Sequence, residues 1–239
     1  MVPRFYVDAP LRAGGNATLP ESSAHHAVHV LRLRAGDEVT LFNGRGGEFA
    51  GRIAAIERLR ISVDLLQHHA VEREAPLRLT LVQAVSAGEK MDSTVRKTVE
   101  LGVAEIQPVL AASSVARPKG ERAAARLAHW QKIAIAACEQ CGRNRIPVVH
   151  PMIAAGDYRG GAGIKLLLSP ASELRFSQAV KEGGEFTIAA GPEAGFNPGE
   201  AAAFLDAGFV PVRLGARVLR TETAGIAALA ALSALRGDF

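Results

Sequence analysis

An α/β fold in two parts is predicted by three features of the 239-residue sequence. Short strand-like runs broken by turns fill the chain before Pro76, and strands alternate with helices after it. Two glycine-bearing loops near the C-terminus each lie between an apolar run and a helix-like run. The first part reads as a small β-barrel over residues 1–73, the second as a parallel sheet with helices on both faces over residues 74–239. A chain of this length buries roughly 70–75% of its unfolded surface, which suffices for two domains.

In the first part, Arg4 to Val7, Glu38 to Phe42, Glu48 to Ile56 and Arg60 to Leu66 are rich in strand-forming residues. Asn43-Gly44-Arg45-Gly46-Gly47 supplies the positive-φ residues of a hairpin turn between the second and third of these runs. His25 to Leu33 interrupts the strands as a short helix, which Gly36 ends. Beyond Pro76 come a strand at Leu77 to Val85, a helix at Glu89 to Leu101 stopped by Gly102, and a strand at Val103 to Leu110. A long helix from Glu121 to Gly142 follows, then strands at Lys165 to Leu168, Phe186 to Ala190 and Val210 to Arg213 with helices between and after them. Strands joined by helical crossovers pair in parallel.

Charge divides along the same line. Residues 1–75 hold nine Arg, no Lys and nine carboxylates, so the whole net charge of +4 lies beyond them. Within Ser113 to Arg145, seven basic residues stand against Glu121 and Glu139. That surplus is either a phosphate-contacting surface or a solvated helix face. The longest mostly apolar run, Ile226 to Leu235, is far short of the ~20 residues that span a bilayer, and the opening residues lack an export signal, so a soluble cytoplasmic protein is expected.

Cys138 and Cys141 are too few for a disulfide framework, and zinc needs about four ligands. They share a helical stripe with Leu127, Trp130, Ala134 and Ala137, so core thiols and no metal are expected. His25, His26 and His29 have no carboxylate or Cys nearby to complete a ligand set. Glu139 and Arg143 have the i,i+4 spacing of a surface ion pair.

The first C-terminal loop runs from Gly191 to Glu200. Gly191 and Gly195 let backbone groups approach a ligand, while Asn197, Pro198 and Glu200 have the spacing of a capping box. The second runs from Leu214 to Ala224 and crowds Arg220, Thr221, Glu222 and Thr223 before an apolar helix, with Thr223 placed to cap it and Arg220 to pair with Glu222 or Glu193. Each loop is a ligand site or a tight turn, and neither matches a phosphate-binding or dinucleotide-binding glycine motif.

The chain resembles the RsmE family of SPOUT methyltransferases. The resemblance is carried by Pro3-Arg4-Phe5, His29 to Leu33, Gly88-Glu89-Lys90-Met91, Lys97 to Val103, Trp130 to Arg145 and both C-terminal loops. The family pattern reads Gly-Pro-Glu-Gly-Gly in the first loop, whereas this chain has Ala194 at the fourth place. The resemblance implies a PUA-like β-barrel followed by an α/β trefoil-knot domain, a homodimer, and S-adenosylmethionine as cofactor. It further implies methylation of N3 of a uridine in 16S ribosomal RNA of the small subunit.

In such a fold the cofactor is held by Leu168, Ser169 and Pro170, by Gly191, Pro192, Glu193 and Gly195, and by Leu214, Gly215, Val218, Leu219, Thr221 and Thr223. The uracil imide must lose its proton before attack. Arg220 or Arg143 is placed to stabilise the anion, and Glu193, Glu139 or Glu222 to accept the proton. RNA contacts fall to Arg4, Arg32 and Arg34 in the barrel, and to Lys90, Lys97, Arg117, Lys132, Arg143 and Arg145 beyond it. Two alternatives stay open: a SPOUT enzyme of different base or ribose specificity, and a non-catalytic RNA-binding assembly factor.

Overall fold

The computed structural model describes residues 2–58, 60–114, 117–161, 163–237 and 239. The chain divides into two compact units, residues 1–74 with 138–146, and residues 75–137 with 147–239. The stretch 138–146 thus belongs with the N-terminal residues, an assignment that no local pattern in the sequence signals.

The first unit is a five-stranded sheet of β1 (Arg4–Tyr6), β2 (Asn16–Thr18), β3 (Glu38–Phe42), β4 (Glu48–Glu57) and β5 (Arg60–His69), in the order β1-β3-β4-β5-β2. β1 runs parallel to β3 and the other pairs are antiparallel. With β1 and β2 at opposite edges, the expected barrel is an open half-barrel. Register shifts set a bulge at Leu66 in β5, opposite Ala50 and Gly51, and another at Ala54 in β4, between Ile53 and Ala55, and these bend the strands. Val39 and Leu41, Phe49 and Ile53, and Ile61, Val63 and Leu65 point into one core with the period of two that strands impose. Ala24 and Ala27 close that core from a helical segment, α1 (Glu21–His25) continued by a π-helical turn His26–Val30. It begins four residues before the expected start, directly after Pro20, because the polar run Glu21-Ser22-Ser23 carries no apolar period to mark it.

The second unit contains β6 (Arg78–Ala84), α2 (Glu89–Glu100), β7 (Val103–Leu110), α3 (Glu121–Cys141), β8 (Val148–Val149) and β9 (Ile153–Ala154). β10 (Ile164–Leu168), α4 (Phe176–Ala179), β11 (Glu185–Ala190), α5 (Pro198–Asp206), β12 (Val210–Val212) and α6 (Thr221–Arg236) follow. The last four residues of α3 belong to the first unit. All strand pairs are parallel, in the order β12-β10-β11-β6-β7-β8, with β9 also on β7.

Alternation along β6 separates the two faces. Val82 and Ala84 join Phe204 of α5 in one apolar cluster, while Leu81 and Gln83 face Gly225 of α6 on the other side. The chain steps from β10 to its neighbour β11, then back across β10 to β12. Crossovers of one hand therefore put α4 and α5 on opposite faces. The loops leaving β10 and β11 diverge there, which opens a crevice at the C-terminal ends of the strands.

Cys138 is buried and Cys141 half-buried, both as free thiols. Burial pushes the Cys138 thiol up to about 12. Among the described residues no helix is long and apolar enough to cross a membrane.

Candidate functional site

The loops leaving β10, β11 and β12 line a single cleft of about 670 Å3, part of it open to solvent. Leu168, Ser169 and Pro170 come from the first loop, and Gly191, Pro192, Glu193, Gly195 and Phe196 from the second. Val212, Leu214, Gly215, Arg217, Val218 and Leu219 come from β12 and its loop, with Thr221 and Ala224 from α6.

The β11 loop is shaped by its glycines and by its capping box. The Gly195 N–H donates to Pro192 O at 2.8 Å across a tight turn, and Gly195 takes φ +75°. Ala194 is not among the positive-φ residues, so its methyl group meets no left-handed strain. Asn197 Oδ1 accepts from Glu200 N at 2.8 Å and Glu200 Oε2 accepts from Asn197 N at 2.9 Å, the reciprocal pair that starts α5.

Thr221 joins the β11 loop to α6. Its hydroxyl donates to Gly191 O at 2.5 Å and accepts from Gln83 Nε2 at 3.1 Å. Thr223 does not cap this helix: α6 begins at Thr221 with Arg220 at the cap position, which leaves Thr223 exposed in the first turn and off the cleft wall.

The charges beside the cleft are paired differently from the expectation. Lys90 of α2, rather than Arg220, meets Glu193 at 2.9 Å and lies 3.8 Å from Glu222. The Lys90 hydrogen bond holds the Glu193 carboxyl below its usual range, and Glu193 in turn raises the Lys90 ammonium. Arg220 stays exposed, as does Arg217 on the cleft wall.

The stretch Glu139 to Arg145 is built into the first unit. Glu139 Oε1 accepts from Tyr6 N at 2.9 Å, and burial raises its carboxyl. Arg143 lies past the end of α3, is buried, and bonds Glu74 through its Nε at 3.1 Å, so its i,i+4 spacing from Glu139 does not give an ion pair. Asn144 Oδ1 accepts from Arg4 at 2.6 Å, and Arg4 also bonds Glu48 at 2.6 Å and the Gly142 and Arg143 carbonyls. The Arg4 guanidinium further lies 5.0 Å from the centre of the Phe42 ring. Arg4 and Arg143 are therefore interior arginines whose fork geometry satisfies carboxylates and carbonyls, not exposed cations.

Arg32, Arg34, Lys97, Arg117, Lys132 and Arg145 are exposed. Three of these have partners: Lys97 with Glu100, Arg145 with Glu72, and Arg117 with the Ala111 and Ala112 carbonyls. The reading of the sequence missed Phe196, Val212, Arg217 and Ala224 on the cleft wall and Gln83 behind it. Gln83 alone left a trace, as the one amide in the apolar run Leu81-Val82-Gln83-Ala84-Val85.

Two family models match the chain in order, an RNA methyltransferase PUA domain over residues 19–66 and an RNA methyltransferase domain over residues 73–233. The ribosomal RNA small subunit methyltransferase E of Buchnera aphidicola is 32% identical over 241 residues, covering 100% of this chain and 95% of the relative. The crystal structure of a ribosomal RNA small subunit methyltransferase E from Neisseria gonorrhoeae bound to S-adenosyl methionine is 39% identical with a TM-score of 0.92, over 100% of both chains. A Legionella pneumophila structure in complex with the bound cofactor SAM is 35% identical with a TM-score of 0.94, over 98% of both. A half-barrel followed by a three-loop cleft on a parallel sheet, matched along its full length at above 30% identity, places the chain in the ribosomal RNA small subunit methyltransferase E family.

Proposed function

We propose that the chain transfers the methyl group of S-adenosylmethionine to N3 of a uridine in 16S ribosomal RNA of the small subunit. The observation that carries this reading is the convergence of three strand-end loops on one cleft, in a chain that matches a cofactor-bound family member throughout. The cleft suits the cofactor. Gly191 and Gly195 expose backbone, while Leu168, Pro170, Val212, Leu214 and Leu219 offer aliphatic walls.

Bound there, the cofactor supplies an electrophilic methyl group on a sulfonium centre. The aliphatic walls would thin the water there, which favours attack of an anionic N3 on the methyl carbon: the nitrogen–carbon bond forms as the carbon–sulfur bond breaks, and the two opposite charges cancel. To Arg217 on the cleft wall and Arg220 beside it, both exposed, we assign stabilisation of the negative charge on the uracil oxygens. Among the candidate proton acceptors, Glu193 on the cleft wall is ionised and made less basic by Lys90, and Glu139 is committed to Tyr6 N. Glu222, in the first turn of α6, is off the cleft wall with its buried Oε2 3.8 Å from Lys90, so Glu193 is the candidate acceptor that faces the cleft.

We infer also that the chain works in the cytoplasm as a homodimer with a threaded C-terminal knot, a reading supported by family membership and by Leu235 standing exposed on α6. The test of the function uses small subunits from cells lacking the gene, methyl-labelled cofactor and nucleoside analysis of the digested RNA. N3-methyluridine is the expected product. A ribose 2′-O-methyl or methylguanine product would establish the first alternative, and no calorimetric heat with S-adenosylmethionine would favour the assembly-factor reading.

A further inference from the structure

We propose that Gln83 is a positioning residue, which acts through Thr221 to fix the Gly191–Pro192 peptide and so hold the β11 loop in the shape the cleft requires. The proposal rests on the reading of that cleft as the cofactor site.

Gln83 is fully buried in β6, on the face covered by α6. An amide there is unfavourable unless its groups are bonded. Its Nε2 donates to Thr221 Oγ1 at 3.1 Å and to Ala84 O at 3.2 Å, while its buried Oε1 has no hydrogen-bond partner among the described residues. A carbonyl only accepts, so Ala84 O sets which end of the amide is the nitrogen. The Thr221 hydroxyl, occupied as an acceptor by Gln83, has a single hydrogen, and that hydrogen goes to Gly191 O at 2.5 Å.

The next residue is Pro192, which has no N–H, so the Gly191–Pro192 peptide can be anchored only through its carbonyl. Pro192 O in turn accepts from Gly195 N, which closes the turn on the cleft wall. A three-member relay thus runs from the sheet interior to the loop. Its fit depends on Gly225: a Cβ there would stand 3.0 Å from Gln83 Oε1 and 3.1 Å from Leu81 Cδ1.

The test titrates S-adenosylmethionine into the full-length protein by calorimetry and follows amide hydrogen exchange at Gly195 and Phe196 without cofactor. Thr221→Val removes the hydroxyl at nearly constant volume. It is expected to weaken cofactor binding roughly tenfold and to speed Gly195 exchange, the order expected for stranding a buried carbonyl. Thr221→Ser keeps the hydroxyl and is expected to stay within about threefold of the parent. Gln83→Met frees the hydroxyl to rotate and gives an intermediate loss.

The deciding measurement is the double variant. If Gln83 works through Thr221, Gln83→Met adds nothing once Thr221→Val is present, whereas loss of core packing would add in full. Equal effects of Gln83→Met in both backgrounds, or parent-like binding by Thr221→Val, overturns the relay. If the unsubstituted protein itself gives no heat with S-adenosylmethionine, the reading of the cleft fails instead, and the Gly195 exchange rates still decide the relay.

Discussion

Replacing Glu48 by Gln tests whether the first unit is held by a buried charge cluster. Glu48 opens β4 and accepts from Arg4 at 2.6 Å and from Arg73 at 2.8 and 3.2 Å, with 13% of its side chain exposed. Arg73, ahead of the opposing cost of burial, is the largest cause holding the carboxyl down from its usual 4.5 to about 2. A fall from 4.5 to about 2, at ~1.36 kcal/mol per pH unit, is on the order of 3 kcal/mol, an upper figure because Arg73 is half-exposed and partly screened. The folded value lies below the unfolded one. The stabilisation is therefore complete above about pH 4.5 and is lost as pH falls from there towards 2. Urea unfolding of the parent and of Glu48→Gln between pH 2.5 and 7 should show a gap of up to about 3 kcal/mol at pH 7 that narrows steadily below pH 4.5. A gap that stays constant with pH, or no gap at neutral pH, would refute the pairing as a source of stability.

Two smaller tests address the thiols and the cofactor loop. With its thiol pushed up to about 12 by burial, Cys138 should resist iodoacetamide at pH 8 in the native protein while half-buried Cys141 is alkylated. Mass spectrometry showing equal labelling of the two would contradict the burial of Cys138. Ala194→Gly restores the family pattern but relieves no strained backbone, since the left-handed position is Gly195. Cofactor affinity by calorimetry should stay within about twofold, and a large gain would show that the methyl group distorts the loop.

Features that depend on neighbouring residues were legible in the sequence. β3, α2 and β7 fall within a residue of their expected ends, and Gly102 takes the φ of +82° that stops α2. The Asn197, Pro198 and Glu200 cap is local chemistry and forms as its spacing implies. The cleft was half-legible: the strand-end loops are punctuated by glycine, but their convergence depends on β10 lying between β11 and β12, an order no local pattern encodes. The short strands β2, β8 and β9, with two or three residues each, carry too few side chains for a period to show.

The arginines were misread for a related reason. A count of basic residues treats each as a solvated cation, yet a guanidinium presents five donors in a plane and is the group best able to knit carboxylates to carbonyls inside a small unit. Arg4 illustrates this, with donors divided among Glu48, Asn144 and two backbone carbonyls. Asn144 then passes the connection to Val71 O, and Arg143 pairs with Glu74. All these partners lie more than 40 residues apart in sequence, so composition could not have paired them. The half-barrel has a modest apolar core and an open sheet, and residues 138–146 supply it with polar bonds that a closed barrel would find among its own strands. The charge available to a polyanion is correspondingly smaller than the count suggests. It rests on cations such as Arg32, Arg34 and Lys132, and at the cleft on Arg217 and Arg220, all of which the fold leaves exposed.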